Sequence, residues 1–214
     1  MNEHILDHEG PIFSFLDKVG RMITLSVLWL IWCLPIVTAV SATTALYYTV
    51  VKNVRREHGS AVKEFWRSYR GNLKRGIPAS IVILLVGYLL AVNIPHLTST
   101  EYHGSNLLLW GSMIIGLLFA GVCVYLCPVL SRFSMNLVSA LKLSFVMTIR
   151  FFPLTVLTAA GAAVAVYLQI YILPIPTILI LPSFLIWLVS FPMEKVLRRY
   201  MPPKDEHDDA WYYQ

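Results

Sequence analysis

The stretch Met22-Ile-Thr-Leu-Ser-Val-Leu-Trp-Leu-Ile-Trp-Cys-Leu-Pro-Ile-Val-Thr-Ala-Val-Ser-Ala-Thr-Thr-Ala-Leu-Tyr-Tyr-Thr-Val-Val51 runs for 30 residues without an Asp, Glu, Lys, Arg or His. Three more such runs follow, Ile77–Pro95, Leu107–Ser131 and Phe151–Pro192, of 19, 25 and 42 residues. A bilayer-spanning helix needs about 20 mostly apolar residues. The first and last runs are too long for one crossing each, at roughly 45 and 63 Å of helical rise. Each carries a break: Pro35 and the small polar patch Ser41-Ala-Thr-Thr44 in the first, Leu173-Pro-Ile-Pro-Thr177 in the last. The fold class is therefore all-α, a polytopic helical membrane protein. One membrane domain is expected over residues 1–199, followed by a polar cytoplasmic tail at 200–214.

Charged residues make up 14% of the chain against 57% apolar ones, where a soluble domain averages roughly 25% charged. The net charge of +5 comes from basic residues clustered between the runs. Lys52, Arg55, Arg56, Lys63, Arg67, Arg70, Lys74 and Arg75 fill the segment 52–76. Arg132, Lys142 and Arg150 fill 132–150, and Lys195, Arg198, Arg199 and Lys204 follow the last run. Segments 93–106 and 171–176 carry no Lys or Arg. By the positive-inside rule the basic segments face the cytoplasm, which puts the C-terminus inside. This pattern reports membrane topology, not nucleic-acid binding, which needs a basic face on a soluble module.

Two topologies fit the first run. If it crosses once, there are five spans and the N-terminus is outside. If it turns near Pro35–Ala42 and returns, there are six spans and the N-terminus is inside. Lys18 and Arg21 abut the run and favour the second. A weak internal repeat agrees. Ile12, Phe15, Leu16 and Val19 form an apolar stripe at helical spacing. Val62, Phe65, Trp66, Tyr69 and Leu73 form another, and Phe133, Leu137, Leu141 and Ser144 a looser third. Such stripes mark amphipathic helices lying at a membrane interface. The expected unit is a cytoplasmic amphipathic helix followed by a membrane hairpin, three times, over about 11–55, 61–130 and 132–199. A cleavable leader is not expected, since it would run 42 residues with four acids in its first 17.

Searches for chemistry return little. The P-loop, the H-E-x-x-H helix and the G-x-S-x-G elbow are all absent. No catalytic residue, cofactor site or metal site is assigned. His96, Glu101 and His103 share a loop, but their spacing matches no helical face. Cys33, Cys123 and Cys127 read as packing residues. Asn93 and Gln169 read as helix ties. The small residues of Thr158-Ala-Ala-Gly-Ala-Ala-Val-Ala165, with Gly116 and Gly121, read as close helix packing inside the bundle, a homo-oligomer seam being their second use. Intramembrane charges usually mark ion or proton pathways, so charge-free runs argue against a pump or an ion-coupled symporter. The most distinctive surface is the 61–75 helix. Its Phe65, Trp66 and Tyr69 flanked by Arg67, Arg70 and Lys74 are the candidate docking residues, for the lipid bilayer or for a partner protein.

Four segments carry a resemblance: Gly10-Pro-Ile-Phe-Ser-Phe-Leu16, Leu28-Trp-Leu-Ile-Trp-Cys-Leu-Pro-Ile-Val37, Ala42-Thr-Thr-Ala-Leu-Tyr-Tyr48 and Phe65-Trp-Arg-Ser-Tyr-Arg-Gly-Asn-Leu-Lys74. Their order and spacing resemble the YesL-like family of bacterial membrane proteins, specifically over residues 10–75 and by hydropathy beyond. That family is a domain of unknown function common in Gram-positive bacteria, often encoded beside carbohydrate ABC importers or polysaccharide-degrading enzymes. The resemblance implies a non-enzymatic accessory subunit, with ABC permease or solute-binding subunits as partners. The alternative is an independent small-solute transporter or channel, which would need a polar pathway through the spans. A membrane enzyme ranks third, because no acid–base pair is visible.

Overall fold

The computed structural model describes residues 11–55, 59–98, 106–171, 177 and 179–200. The elements are α1 (Pro11–Cys33), a short 3₁₀ turn (Ile36–Thr38), α2 (Ala39–Thr49) continued by a wider π-type turn (Val50–Arg55), α3 (Ala61–Thr98), α4 (Asn106–Arg132), α5 (Leu137–Arg150), α6 (Phe152–Tyr171) and α7 (Leu181–Leu197). No strand occurs among the described residues. Three helices are long and apolar enough to cross a membrane, within Ala61–Asn93, Trp110–Arg132 and Phe152–Gln169.

The first apolar run is not one continuous helix. It reverses at Leu34–Thr38, and Arg21, midway along α1 and just before its apolar part, donates to the Asn53 carbonyl at 3.3 Å. The Trp29 indole N–H meets Thr43 Oγ1 at 3.1 Å, closer to the tip. The apolar part of α1, Met22–Cys33, rises only roughly 18 Å, against about 30 Å of hydrocarbon. The tip itself is apolar and open, with Leu34 79% and Ile36 61% exposed. Irregular backbone in hydrocarbon must satisfy its own polar groups. Here the Thr38 hydroxyl lies 2.8 Å from the carbonyls of both Trp32 and Pro35, and the Thr38 N–H donates to Pro35 at 2.8 Å. The first hairpin is thus a short one whose tip is suited to rest inside the bilayer.

α2 is the central element. Val40–Thr49 is almost wholly buried, which is why its sequence shows no apolar stripe: a helix covered all round has no polar face. Small residues let α3 approach it closely. A β-carbon at Gly76 would fall 2.9 and 3.0 Å from Ser41 N and Cα, and closer still to Ser41 Oγ. The Val40 N–H donates to Ser80 Oγ at 3.1 Å across the same crossing. On the other side of the bundle, Gly121 of α4 leaves room for Thr148 of α5 and Thr155 of α6.

Two sequence expectations are corrected. The amphipathic stretches at 11–19 and 61–75 are not separate interfacial helices; α1 and α3 run straight from them into their apolar parts. In α3 the buried positions Phe65, Tyr69, Gly76, Ala79 and Ser80 continue one face, so the contacts that hold the charged half also hold the apolar half. Only α5 is detached from its following helix, at Phe151, two residues before Pro153. Second, the small residues at Thr158–Ala165 pack inside the bundle only at the two ends, where Thr158 and Ala165 are buried. Ala160, Gly161, Ala162 and Ala163 are all exposed along α6. Residues 99–105 and 201–214, and the His96 side chain, lie outside the described residues.

Candidate functional site

The candidate docking helix divides into two sets. Phe65 and Tyr69 are 0% and 4% exposed, packed in a cluster with Leu25, Leu46 and Val50 of α1 and α2. Trp66 is half-buried, its ring centroid 4.8 Å from Trp32, and the Arg70 guanidinium sits 4.4 Å above it. The aromatic stripe is therefore an internal packing surface and is not available to a partner. Arg67, Arg70 and Lys74 remain exposed. The exposed part of this helix face is therefore basic. Beneath it Glu64 pairs with Lys52 at 3.0 Å, both side chains little exposed.

The sequence reading did not find the most unusual site in the fold. Arg132 closes α4 and Glu194 lies near the end of α7. Their side chains are 1% and 4% exposed, with Nη2 2.7 Å from Oε1. Arg132 Nε donates to the same oxygen at 3.2 Å, and the Tyr47 hydroxyl of α2 donates to it at 3.0 Å. Three helices thus converge on one carboxylate oxygen. Charge-assisted bonds of this kind are roughly twice as strong as neutral ones. Glu194 Oε2 is buried without a hydrogen-bond partner among the described residues. Nearby, Arg55 donates to the Ser190 carbonyl at 3.1 Å and lies 4.3 Å over Phe191, which fixes the inner half of α7. The signal was present in the sequence: Glu194 is the sole Asp or Glu between Glu101 and Asp205.

Beside this ion pair lies a half-open cavity of about 540 Å³, lined by α2, α4, α6 and α7. Tyr47 belongs to both features. Its walls are mainly Leu, Ile and Val, with Thr43, Thr158, Cys123 and Cys127 as the small polar or polarisable groups. Two in-helix prolines, Pro128 and Pro192, line it. Each lacks the N–H that would bond the carbonyl four residues earlier. The Ser131 hydroxyl donates to the Pro128 carbonyl and the Ser190 hydroxyl to the Trp187 carbonyl, at 2.7 Å each, so neither bonds the Val124 or Leu188 carbonyl that the prolines leave without an N–H. Gly161 opens on the cavity, and a β-carbon there would meet no atom within 4 Å. The exposed small residues of α6 therefore make space where the sequence reading expected contact.

Asn93 and Gln169 serve locally. Asn93 donates to the Leu89 carbonyl at 2.7 Å, and Gln169 accepts from Thr177 at 3.1 Å. No group of three or more His, Cys, Asp or Glu suited to a metal ion occurs among the described residues.

Comparison with known proteins agrees with the resemblance read from the first third of the chain. Residues 22–94 match the family described as "Protein of unknown function, DUF624". The chain is 22% identical over 209 residues to "Uncharacterized protein YteU" of Bacillus subtilis strain 168, an alignment covering 94% of this chain and 91% of that one. No solved structure matches. The matched segment runs from the first hairpin through most of α3, and over it the chain is similar to the DUF624 proteins, consistent with the resemblance to the YesL-like family.

Proposed function

We propose that this protein is a non-enzymatic accessory subunit of a carbohydrate ABC uptake system. It would sit multi-pass in the plasma membrane, C-terminus inside, and associate with the permease or solute-binding components. The observation that carries the non-transporting part is the pairing of the bundle's buried charges beside an apolar cavity. Arg132 and Glu194 neutralise each other at 2.7 Å, and the space beside them is walled mainly by aliphatic side chains. A sugar crossing the bundle would need polar groups to replace its hydration, since unpaired polar groups in an apolar site cost several kcal/mol. The carbohydrate association itself rests on the family resemblance. The exposed Arg67, Arg70 and Lys74 supply a basic face suited to an acidic partner surface.

The test is affinity purification of the tagged full chain from its native membrane in a mild detergent, with mass-spectrometric identification of what accompanies it. Near-stoichiometric ABC permease or solute-binding subunits are the expected result. A folded protein recovered alone would overturn the accessory reading. In that case an independent carrier becomes the better account, and sugar flux into liposomes its measurement.

A further inference from the structure

We propose that the cavity between α2, α4, α6 and α7 is a lipid site, holding one acyl chain of an anionic phospholipid whose phosphate meets Arg150, Lys195 and Arg199. Two independent observations meet here. The first is the cavity, at about 540 Å³ within the roughly 300–1,000 Å³ of ordinary ligand pockets. Its lining suits a hydrocarbon chain and offers little to a sugar or an ion. Aliphatic residues of α4, α6 and α7 form most of it, with Thr43 and Tyr47 from α2, and Gly161 leaves an unfilled position in its wall. The small exposed residues of α6 give a lipid chain a way in from the side without displacing a bulky side chain.

The second observation is charge at one end. On α7 the cavity residues Leu188 and Pro192 continue, at spacings of four and three, into Lys195 on one helical face, and Arg199 follows in the turn that ends the helix. Both are exposed. Arg199 lies 5.7 Å over Phe151 at the joint of α5 and α6, and Arg150 at that joint donates to the Tyr200 hydroxyl at 3.4 Å. Three cations therefore gather where α6 begins and α7 ends. Glu194, the one carboxylate close by in sequence, is turned inward and held by Arg132, so it does not cancel them. Arg and Lys at a membrane surface each favour anionic lipid by about 1 kcal/mol. A chain lying in the cavity puts its headgroup within reach of this cluster, in the leaflet that adjoins the basic segments.

The experiment is native mass spectrometry of the purified full chain with phosphatidylglycerol or phosphatidylcholine of identical acyl chains. One phosphatidylglycerol should be retained with an affinity about a hundredfold above phosphatidylcholine, the effect of three basic residues. Gly161→Leu should lower that affinity about 15- to 50-fold, since it excludes two or three methylenes of the chain, and should not lower the thermal midpoint. Ala162→Phe supplies a second plug should the first variant fail to fold. The triple change Arg150→Gln, Lys195→Gln, Arg199→Gln should lower phosphatidylglycerol affinity and leave phosphatidylcholine unchanged. Equal retention of the two lipids by the unaltered protein would overturn the headgroup assignment. Unchanged binding in folded Gly161→Leu or Ala162→Phe would overturn the cavity assignment.

Discussion

Arg132 and Glu194, 62 residues apart, meet at 2.7 Å with almost no exposure of either side chain, and they join the last turn of α4 to that of α7. Removing one member of such a pair leaves an uncompensated buried charge, which costs about 3–5 kcal/mol. Arg132→Met and Glu194→Leu, made singly, should each lower the thermal midpoint in detergent sharply. The double variant should recover most of the loss, because an apolar pair of similar volume has no charge to desolvate. Tyr47→Phe should cost less, about 1.5–3 kcal/mol for one bond to a charged group. Additive losses in the double variant would show that the two side chains act separately.

Two glycines should respond differently to the same added methyl group. At Gly121 the obstacles are side-chain methyls, Thr148 Cγ2 and Thr155 Cγ2. Gly121→Ala should therefore destabilise by about 1–3 kcal/mol, and Thr148→Ser with Thr155→Ser should restore much of it. At Gly76 the obstacles include the Ser41 backbone itself, at 2.9 and 3.0 Å. Gly76→Ala should resist rescue by Ser41→Gly, because the helices must move apart. Unfolding midpoints of the four variants decide this, and rescue at Gly76 would show that α2 and α3 can separate cheaply.

These relationships mark where the sequence was readable. Helix identity and the reversal at Pro35 were visible, because unbroken apolar runs and a proline speak through local rules. The role of the aromatic stripe was not. Phe65, Trp66 and Tyr69 occupy one helical face whether that face meets lipid headgroups, a partner or α1, and spacing cannot name the neighbour. Trp32 supplies it, and Trp32 is distant in sequence. The same limit hid the Arg132–Glu194 pair, whose members flank different apolar runs and read as topology charges one at a time. Gly161 shows the converse: small residues that usually signal contact here leave a space.

The short first hairpin makes a topological prediction. In a background lacking Cys33, Cys123 and Cys127, Gly20→Cys should react with an impermeant thiol reagent only after the membrane is opened. Asn93→Cys, exposed at the far end of α3, should react in intact cells. Val37→Cys at the hairpin tip should stay protected in both conditions, because an apolar turn roughly 18 Å from the charged end stops short of the far surface. Labelling of Val37→Cys in intact cells would mean that the tip emerges and that the first hairpin crosses fully.

The basic face of α3 gives the last prediction, and its form follows from the packing. Trp66→Ala would remove the contact with Trp32 and weaken the fold, so a lost interaction in that variant would not separate docking from stability. Arg67→Glu with Lys74→Glu avoids this, because both side chains are exposed; Arg67 gives up only a 3.9 Å approach to Glu64, and exposed pairs contribute at most about 1 kcal/mol. If the face docks an acidic surface, reversing two charges should lower recovery of the partner severalfold at low salt, with an unchanged unfolding midpoint. Raising the salt should weaken the unaltered complex in the same direction, as exposed charges are screened beyond about 10 Å at 0.1 M. Full recovery of the partner by the double variant would remove the basic face from the interface and leave the lipid-facing sides of α3 and α6 as the surfaces to test.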